Sequence, residues 1–308
     1  MSASDHCCLL GAGTALARRR LAPMAIARNV WLLLTETFEG FIADDALSRG
    51  ASIAYYTLFS LAPVLLVVIA VAGLTFGHEA AQGAIVQQLG LLMGAKTAEA
   101  LQAMIESAAR PREGMWASIV GVVVLLIATT GVFGEVQSAM NAIWKARPSR
   151  RSTLTRLVRA RIASLGLVVT AGFLLTVSLA TSAGLAAVAD YLRIIFPAAQ
   201  IVLNVVDILV SGALIAGLFA AMYKILPDTL IDWRDVAIGA GATMLLFEGG
   251  KYAIALYVGQ SDVASSYGAA GALIVLLVWI YYSAQIFLLG AEFTRAFAKR
   301  FGSHAEGR

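Results

Sequence analysis

The stretch Tyr267–Arg300, YGAAGALIVLLVWIYYSAQIFLLGAEFTRAFAKR, decides how the chain is read. From Gly268 to Ala291 it carries no charge, and Leu, Ile, Val and aromatic residues accompany a run of Gly and Ala. At about 1.5 Å per residue, these ~24 positions cross a hydrocarbon core about 30 Å thick. The uncharged run stops at Glu292, followed by Arg295, Lys299 and Arg300. Gly268 and Gly271 at its start mark a packing face, since small residues let membrane helices approach closely.

Composition carries the same message to the whole chain. Of 308 residues, 59% are hydrophobic and 14% charged, with a mean hydropathy of +0.80. Soluble domains run at about 45–50% apolar and about 25% charged. The lipid bilayer is therefore the expected solvent, and the fold class is all-α, because a helix satisfies its own backbone in hydrocarbon. Cys7 and Cys8 are the only cysteines. Neighbouring thiols are too close for an ordinary disulfide and read as inert. Leu9–Ala17 imitates a signal peptide, but the basic cluster Arg18–Arg20 follows the apolar run instead of leading it. Residues 1–27 are expected to form a disordered cytoplasmic N-terminus, 28–301 a membrane domain and 302–308 a cytoplasmic tail.

Arg28–Arg49 is not a span, because Glu36, Glu39, Asp44 and Asp45 interrupt it. Val30, Leu33, Leu34, Phe38, Phe41 and Ile42 recur at helical spacing, so an amphipathic helix on the membrane surface is expected. Six spans follow, at about 51–77, 116–144, 162–189, 199–223, 235–258 and 268–291. Pro63 falls near the middle of the first and predicts a kink. Between the first two spans, Ile85, Leu89 and Leu92, then Leu101, Met104, Ile105 and Ala108, predict two short amphipathic helices.

The linker Lys145–Arg161 holds seven basic residues and no acid. Placing it in the cytoplasm puts eighteen of the 23 basic residues inside and four outside, with Lys251 left in a span. The positive-inside bias then sets both termini in the cytoplasm. Arg150, Arg151, Arg156 and Arg159 would meet anionic lipid headgroups, a role that needs no nucleic acid.

Ionisable residues within a span are costly and mark candidate sites. Glu248 and Lys251 stand three apart on one helix face and can pair, with Gly249 and Gly250 between them loosening the helix. Two readings stand: a substrate or ion site within the membrane, and a structural ion pair that fixes packing. Asn204, Asp207 and Ser211 form a polar stripe, and Lys251 is one candidate partner for Asp207. Glu135 joins the candidate pathway, against the plainer reading of a solvated interfacial carboxylate. Glu292 and Arg295 read as a surface pair contributing little. Tyr55, Trp116, Trp144, Tyr223, Trp233 and Tyr257 suit an aromatic belt. Gly73 and Gly77, and the stripes Gly212-Ala216-Ala220 and Ala213-Gly217-Ala221, read as packing faces.

The three histidines, His6, His78 and His304, are far apart, and no HExxH, GxxxxGK[ST] or GxSxG occurs. No catalytic residue, metal site or cofactor is therefore assigned, and an enzyme is not expected.

Three stretches resemble the YihY/BrkB family of bacterial inner-membrane proteins, once labelled ribonuclease BN. They are ASIAYYTLFSLAPVLLVVIAVAG from Ala51, the segment from Leu226-Pro227-Asp228 through Trp233-Arg234-Asp235 to Glu248–Tyr252, and YGAAGALIVLLVWIYYSAQIFLLGAEF from Tyr267. The resemblance covers roughly residues 28–301. Some family members are linked to export of lipid or lipopolysaccharide precursors and to resistance to host killing. The ribonuclease label does not fit, since a tRNA-processing nuclease of the metallo-β-lactamase type needs a histidine cluster. The reading is a transporter or flippase-like exporter of an anionic or amphipathic lipid. The alternative is a non-catalytic membrane scaffold, and a lipid-acting enzyme stands last. Self-association into a homo-oligomer stays open.

Overall fold

A computed structural model describes residues 28–93, 101–103, 105–106, 131–146, 199–260 and 269–303, with scattered positions between 166 and 181. Among the described residues every regular element is an α-helix. They are α1 (28–43), α2 (Ala46–Phe76), α3 (His78–Met93), α4 (131–143), α5 (Ala199–Ile225), α6 (Trp233–Gln260) and α7 (Ala269–Arg300). α7 packs against α6 and α2, α5 packs against α6, and α3 packs against α2.

Two helices are long and apolar enough to cross a membrane by length and composition, through Ile208–Ile225 of α5 and Leu273–Arg300 of α7. The residues expected as spans 199–223 and 235–258 lie within the helices α5 and α6, which extend no more than two residues past them at either end. The expected span 116–144 is described only from residue 131, and 162–189 only at scattered positions. α2 continues through Pro63 as one helix. Ile208, Leu209, Leu245, Tyr252 and Leu256 are between 62% and 71% exposed, an apolar surface suited to lipid and costly in water. The short helices expected after the first span appear as α3 and the helical residues 101–103 and 105–106. Ile85, Leu101 and Ile105 are each 1% exposed and pack in one core with Leu276 and Ile280 of α7.

One expectation about helix ends needs correction. The amphipathic helix expected over 28–49 breaks at Asp44–Asp45, where Asp45 turns left-handed (φ 56°, ψ 41°) before α2 begins. α7 continues nine residues beyond Ala291 to Arg300 and so carries Glu292 and Arg295 on one helix, as their spacing predicts. Packing carries it on, since Glu292, Thr294, Ala296 and Ala298 are all buried.

α6 and α7 meet through a reciprocal motif of glycine and threonine four residues apart. A Cβ on Gly239 would lie 1.9 Å from Thr294 Oγ1, and one on Gly290 would lie 2.0 Å from Thr243 Oγ1. Only glycine lets the backbones approach this closely. Each threonine turns its hydroxyl back to its own helix: Thr243 donates to the Gly239 carbonyl (2.7 Å) and Thr294 to the Gly290 carbonyl (2.6 Å). Back-bonding of this kind hides a polar atom without a partner helix.

Tyr223 of α5 completes the contact. It is fully buried, donates to the Phe287 carbonyl at 2.8 Å and lies 2.9 Å from Thr243 Oγ1. Its ring joins Phe219 and Phe287, and Phe219 also meets Phe247 of α6, so α5, α6 and α7 share one aromatic knot. The aromatic-belt reading thus fails for Tyr223, and also for Trp144 at 8% exposure, while Tyr55 (57%) and Trp233 (66%) are exposed as a belt requires. Tyr223→Phe should cost about 1–2 kcal/mol, because it leaves the buried Phe287 carbonyl without the hydroxyl's donor. Thermal unfolding in detergent checks this, and an unchanged midpoint would remove the hydroxyl from the account.

Candidate functional site

Glu248 and Lys251 are joined as their spacing predicts. Lys251 Nζ lies 2.8 Å from Oε1 and 2.7 Å from Oε2 of Glu248, with side chains 24% and 33% exposed respectively. The pair flanks the exposed face of α6 formed by Leu245, Gly249, Tyr252 and Leu256, and the buried face at Gly250 and Ile254. The two glycines between them differ. A Cβ on Gly250 would press on Ile286 Cδ1 (2.6 Å) and Tyr282 Cε1 (2.9 Å) of α7, whereas one on Gly249 meets nothing within 4 Å. Gly250 therefore seats α6 on α7, and Gly249 faces outward. Gly212 similarly seats α5 on Met244 of α6, while Gly217 of the second small-residue stripe meets nothing within 4 Å.

Asn204 and Asp207 lie on α5, but their side chains fall outside the described residues, as do Gly268, Arg150, Arg151, Arg156 and Arg159. Gly271 is buried on α7. Glu135 is half-buried on α4, and no bond among the described residues joins it to Glu248 or Lys251.

A second constellation gathers at one end of the bundle, and the sequence did not announce it. Asp44, in the turn between α1 and α2, accepts from Lys145 beyond α4 and from Arg295 of α7 at 3.0 Å. Arg295 also reaches Glu292 at 3.2 Å. The Asp44 and Glu292 side chains are 5% and 2% exposed. The expectation of a surface pair at Glu292 and Arg295 is thus overturned: both belong to an ion network closed by α1. Gly40 makes room for it, since a Cβ there would lie 2.6 Å from Glu292 Oε2.

Local structure aims Lys145 at Asp44. The Ala146 N–H donates to the Asn141 carbonyl (2.9 Å) and the Lys145 N–H to the Ala142 carbonyl (3.1 Å), the bond pair of a Schellman cap. Its left-handed position, usually glycine, is Lys145 at φ 49°. The ammonium bond to Asp44 offsets that conformational cost. Neighbouring links close the same end. Asn141 exchanges two bonds with Asp228 (2.8 and 2.9 Å), and the 1%-exposed Asp235 in the first turn of α6 accepts from Ser303 N and Oγ (2.9 and 2.7 Å). An acid there also complements the helix dipole.

Between α1 and α7 lies a cavity of about 590 Å³. Glu36 and Glu39 stand on the α1 wall, with Glu292, Arg295, Lys299 and Arg300 on the α7 side. Arg300 pairs with Glu36 at 2.9 Å.

The model of the family described as virulence factor BrkB matches residues 37–308. The UPF0761 membrane protein of Azotobacter vinelandii is 30% identical over 261 residues, covering 83% of this chain and 60% of the relative. Those of Alcanivorax borkumensis and Pseudomonas aeruginosa strain LESB58 are 26% and 29% identical, covering 83% and 82% of this chain and 58% and 59% of theirs. The chain thus spans about 60% of the length of the curated relatives it matches. No solved structure matches. With its apolar helices and a family match over nearly the whole described length, the chain is a membrane protein of the virulence factor BrkB family.

Proposed function

We propose that the protein is a non-enzymatic transporter or flippase-like exporter of an anionic, amphipathic lipid or envelope precursor. It sits in the bacterial inner membrane with both termini in the cytoplasm. The observation that carries the reading is the Glu248–Lys251 pair, part-exposed on a helix whose neighbouring outward residues are Leu245, Leu246, Tyr252 and Leu256. A closed pair is neutral and tolerable beside hydrocarbon; an opened one offers an ammonium to an anionic headgroup. Asn204, Asp207 and Glu135 would extend the polar path, and Pro63 with the glycines of α6 would supply bends. The basic bias of the expected inside segments supports the orientation, and Arg150, Arg151, Arg156 and Arg159 would meet anionic lipid there.

The test uses proteoliposomes holding fluorescent phosphatidylglycerol, with surface quenching to follow its movement between leaflets. Wild type should move the lipid, and Lys251→Met should slow it at least about tenfold, the loss of about 1.4 kcal/mol of barrier lowering. Full-rate movement by Lys251→Met would remove this site. One observation favours the scaffold reading instead: Lys251 already satisfies both oxygens of Glu248. That reading predicts a change in stability alone, and a partner protein that co-purifies in mild detergent.

A further inference from the structure

Two buried acids meet on one cation where α1 turns into α2. Arg295 Nη1 lies 3.0 Å from Asp44 Oδ2 and 3.2 Å from Glu292 Oε2, and the acid side chains are 5% and 2% exposed. Lys145 also reaches Asp44, but its side chain is 58% exposed and screened by water. The buried set is then two acids against one guanidinium. Two carboxyl groups sharing such a site do not both ionise, and one keeps its proton. Glu292 is the one that keeps it. Asp44 meets two cations and Glu292 only one, and no donor among the described residues reaches Glu292 Oε1. As a neutral acid, Glu292 carries an O–H whose acceptor is Asp44. Just past the uncharged run of α7, burial raises its carboxyl from an ordinary 4.5 to about 8; Arg295 opposes this, and the hydrogen bond to Asp44 and its charge add to it.

The neighbouring elements bring no other partner to the pair. Arg49 of α2 donates to the Asp44 carbonyl, not to its carboxylate. Asp235 of α6 is turned to Ser303, and Asp228 before α6 to Asn141. On α1 and α7, Glu36 pairs with Arg300, while Glu39 and Lys299 line the adjoining cavity.

Glu292 also seats α1. A Cβ on Gly40 would lie 2.6 Å from Glu292 Oε2, so the α1 backbone rests on the carboxyl itself. The Glu36–Arg300 link is part-exposed at 47% and 24% and holds little by itself. Between the two links the helices enclose a cavity instead of a packed seam. A charge appearing on Glu292 falls directly beneath α1 and beside a like charge.

We infer that Glu292 and Asp44 share a proton that latches α1 and the α1–α2 turn onto α7, and that losing this proton in alkaline conditions loosens α1. The latch needs neither the Glu248–Lys251 pair nor transport. The folded protein holds the proton where an unfolded chain has lost it, so this group lowers stability as pH rises from 4.5 to about 8 and adds no further change above.

Infrared difference spectroscopy of the purified full chain reads the proton. Spin labels at Trp31→Cys and Phe301→Cys, with Cys7→Ser and Cys8→Ser, read the distance from α1 to the end of α7. In wild type a carboxylic acid carbonyl band should disappear with a midpoint near 8. Glu292→Gln should lack that band, and Asp44→Asn should lower the midpoint by at least about one pH unit. The label distance should lengthen or broaden in wild type between about pH 6.5 and about pH 9.5. Glu292→Gln, whose amide keeps the shape and a donor of the neutral acid, should fold and hold the short distance at both. No carboxylic band titrating above about pH 7 in wild type, or the same band in Glu292→Gln, would overturn the shared proton. A distance that moves no more in wild type than in Glu292→Gln would overturn the latch.

Discussion

Asp44→Ala is expected to destabilise the protein by about 1.5–3 kcal/mol, the loss of a buried hydrogen bond between charged groups. Asp44 is the hub: it alone receives both Lys145 and Arg295, and its side chain is 5% exposed. Without it, Arg295 keeps only its contact with Glu292 at 3.2 Å, and the Lys145 ammonium loses its acceptor. The turn loses its anchor too, although the Arg49 bond to the Asp44 carbonyl (2.9 Å) survives the substitution. The same network supplies its own control. The Lys145 side chain is 58% exposed, so its pair with Asp44 is worth about 0–1 kcal/mol after screening. Lys145→Gly loses that pair but relieves a left-handed backbone, and should fall within about 1 kcal/mol of wild type. Denaturant midpoints in detergent, followed by far-ultraviolet circular dichroism, separate the two. An Asp44→Ala midpoint equal to that of Lys145→Gly would show that the network is not what holds this end together.

The contrast between what the sequence reveals and what it hides follows from distance along the chain. α5, α6 and the start of α7 are legible because a long apolar run is a local signal, and hydrocarbon leaves it one way to fold. The Glu248–Lys251 pair is legible for the same reason, as three residues on a helix fix a shared face. The Asp44 network is not. Lys145 and Arg295 stand 101 and 251 positions from Asp44, and each lies in a charged segment whose ordinary reading is solvated surface. Its one local hint is Asp44 itself, within a helix interrupted by acids that neither bury nor cap in any way the spacing reveals. Tyr223 deceives differently: beside Lys224 at the end of an apolar run it has every attribute of a belt residue. Only the Gly290–Thr243 contact explains why its hydroxyl turns inward.

Gly290→Ala should cost about 3 kcal/mol, whereas Gly249→Ala should gain up to about 1 kcal/mol, though both replace a glycine inside a long helix by the best helix former. Propensity favours alanine equally at the two positions, so the difference in sign isolates packing. At Gly290 the new methyl would sit 2.0 Å from Thr243 Oγ1 and 2.5 Å from Tyr223 Oη. Neither group can yield cheaply, because Thr243 is tied to the Gly239 carbonyl and Tyr223 to the Phe287 carbonyl. Either α6 and α7 part along their seam, or two buried hydrogen bonds break. At Gly249 the methyl enters open space. The reciprocal motif makes the explanation sharper than a general intolerance of α7. Thr243→Ala removes the nearest colliding atom and should recover a substantial part of the Gly290→Ala loss when the two are combined. It should recover none of the loss from Gly239→Ala, whose methyl collides with Thr294 instead. A double-mutant cycle on unfolding midpoints reads that coupling directly. If Gly290→Ala matches Gly249→Ala, or Thr243→Ala rescues both glycine variants alike, close approach at this seam does not set how α6 lies on α7. Since α6 also carries Glu248 and Lys251, the seam that positions α6 positions the proposed path with it.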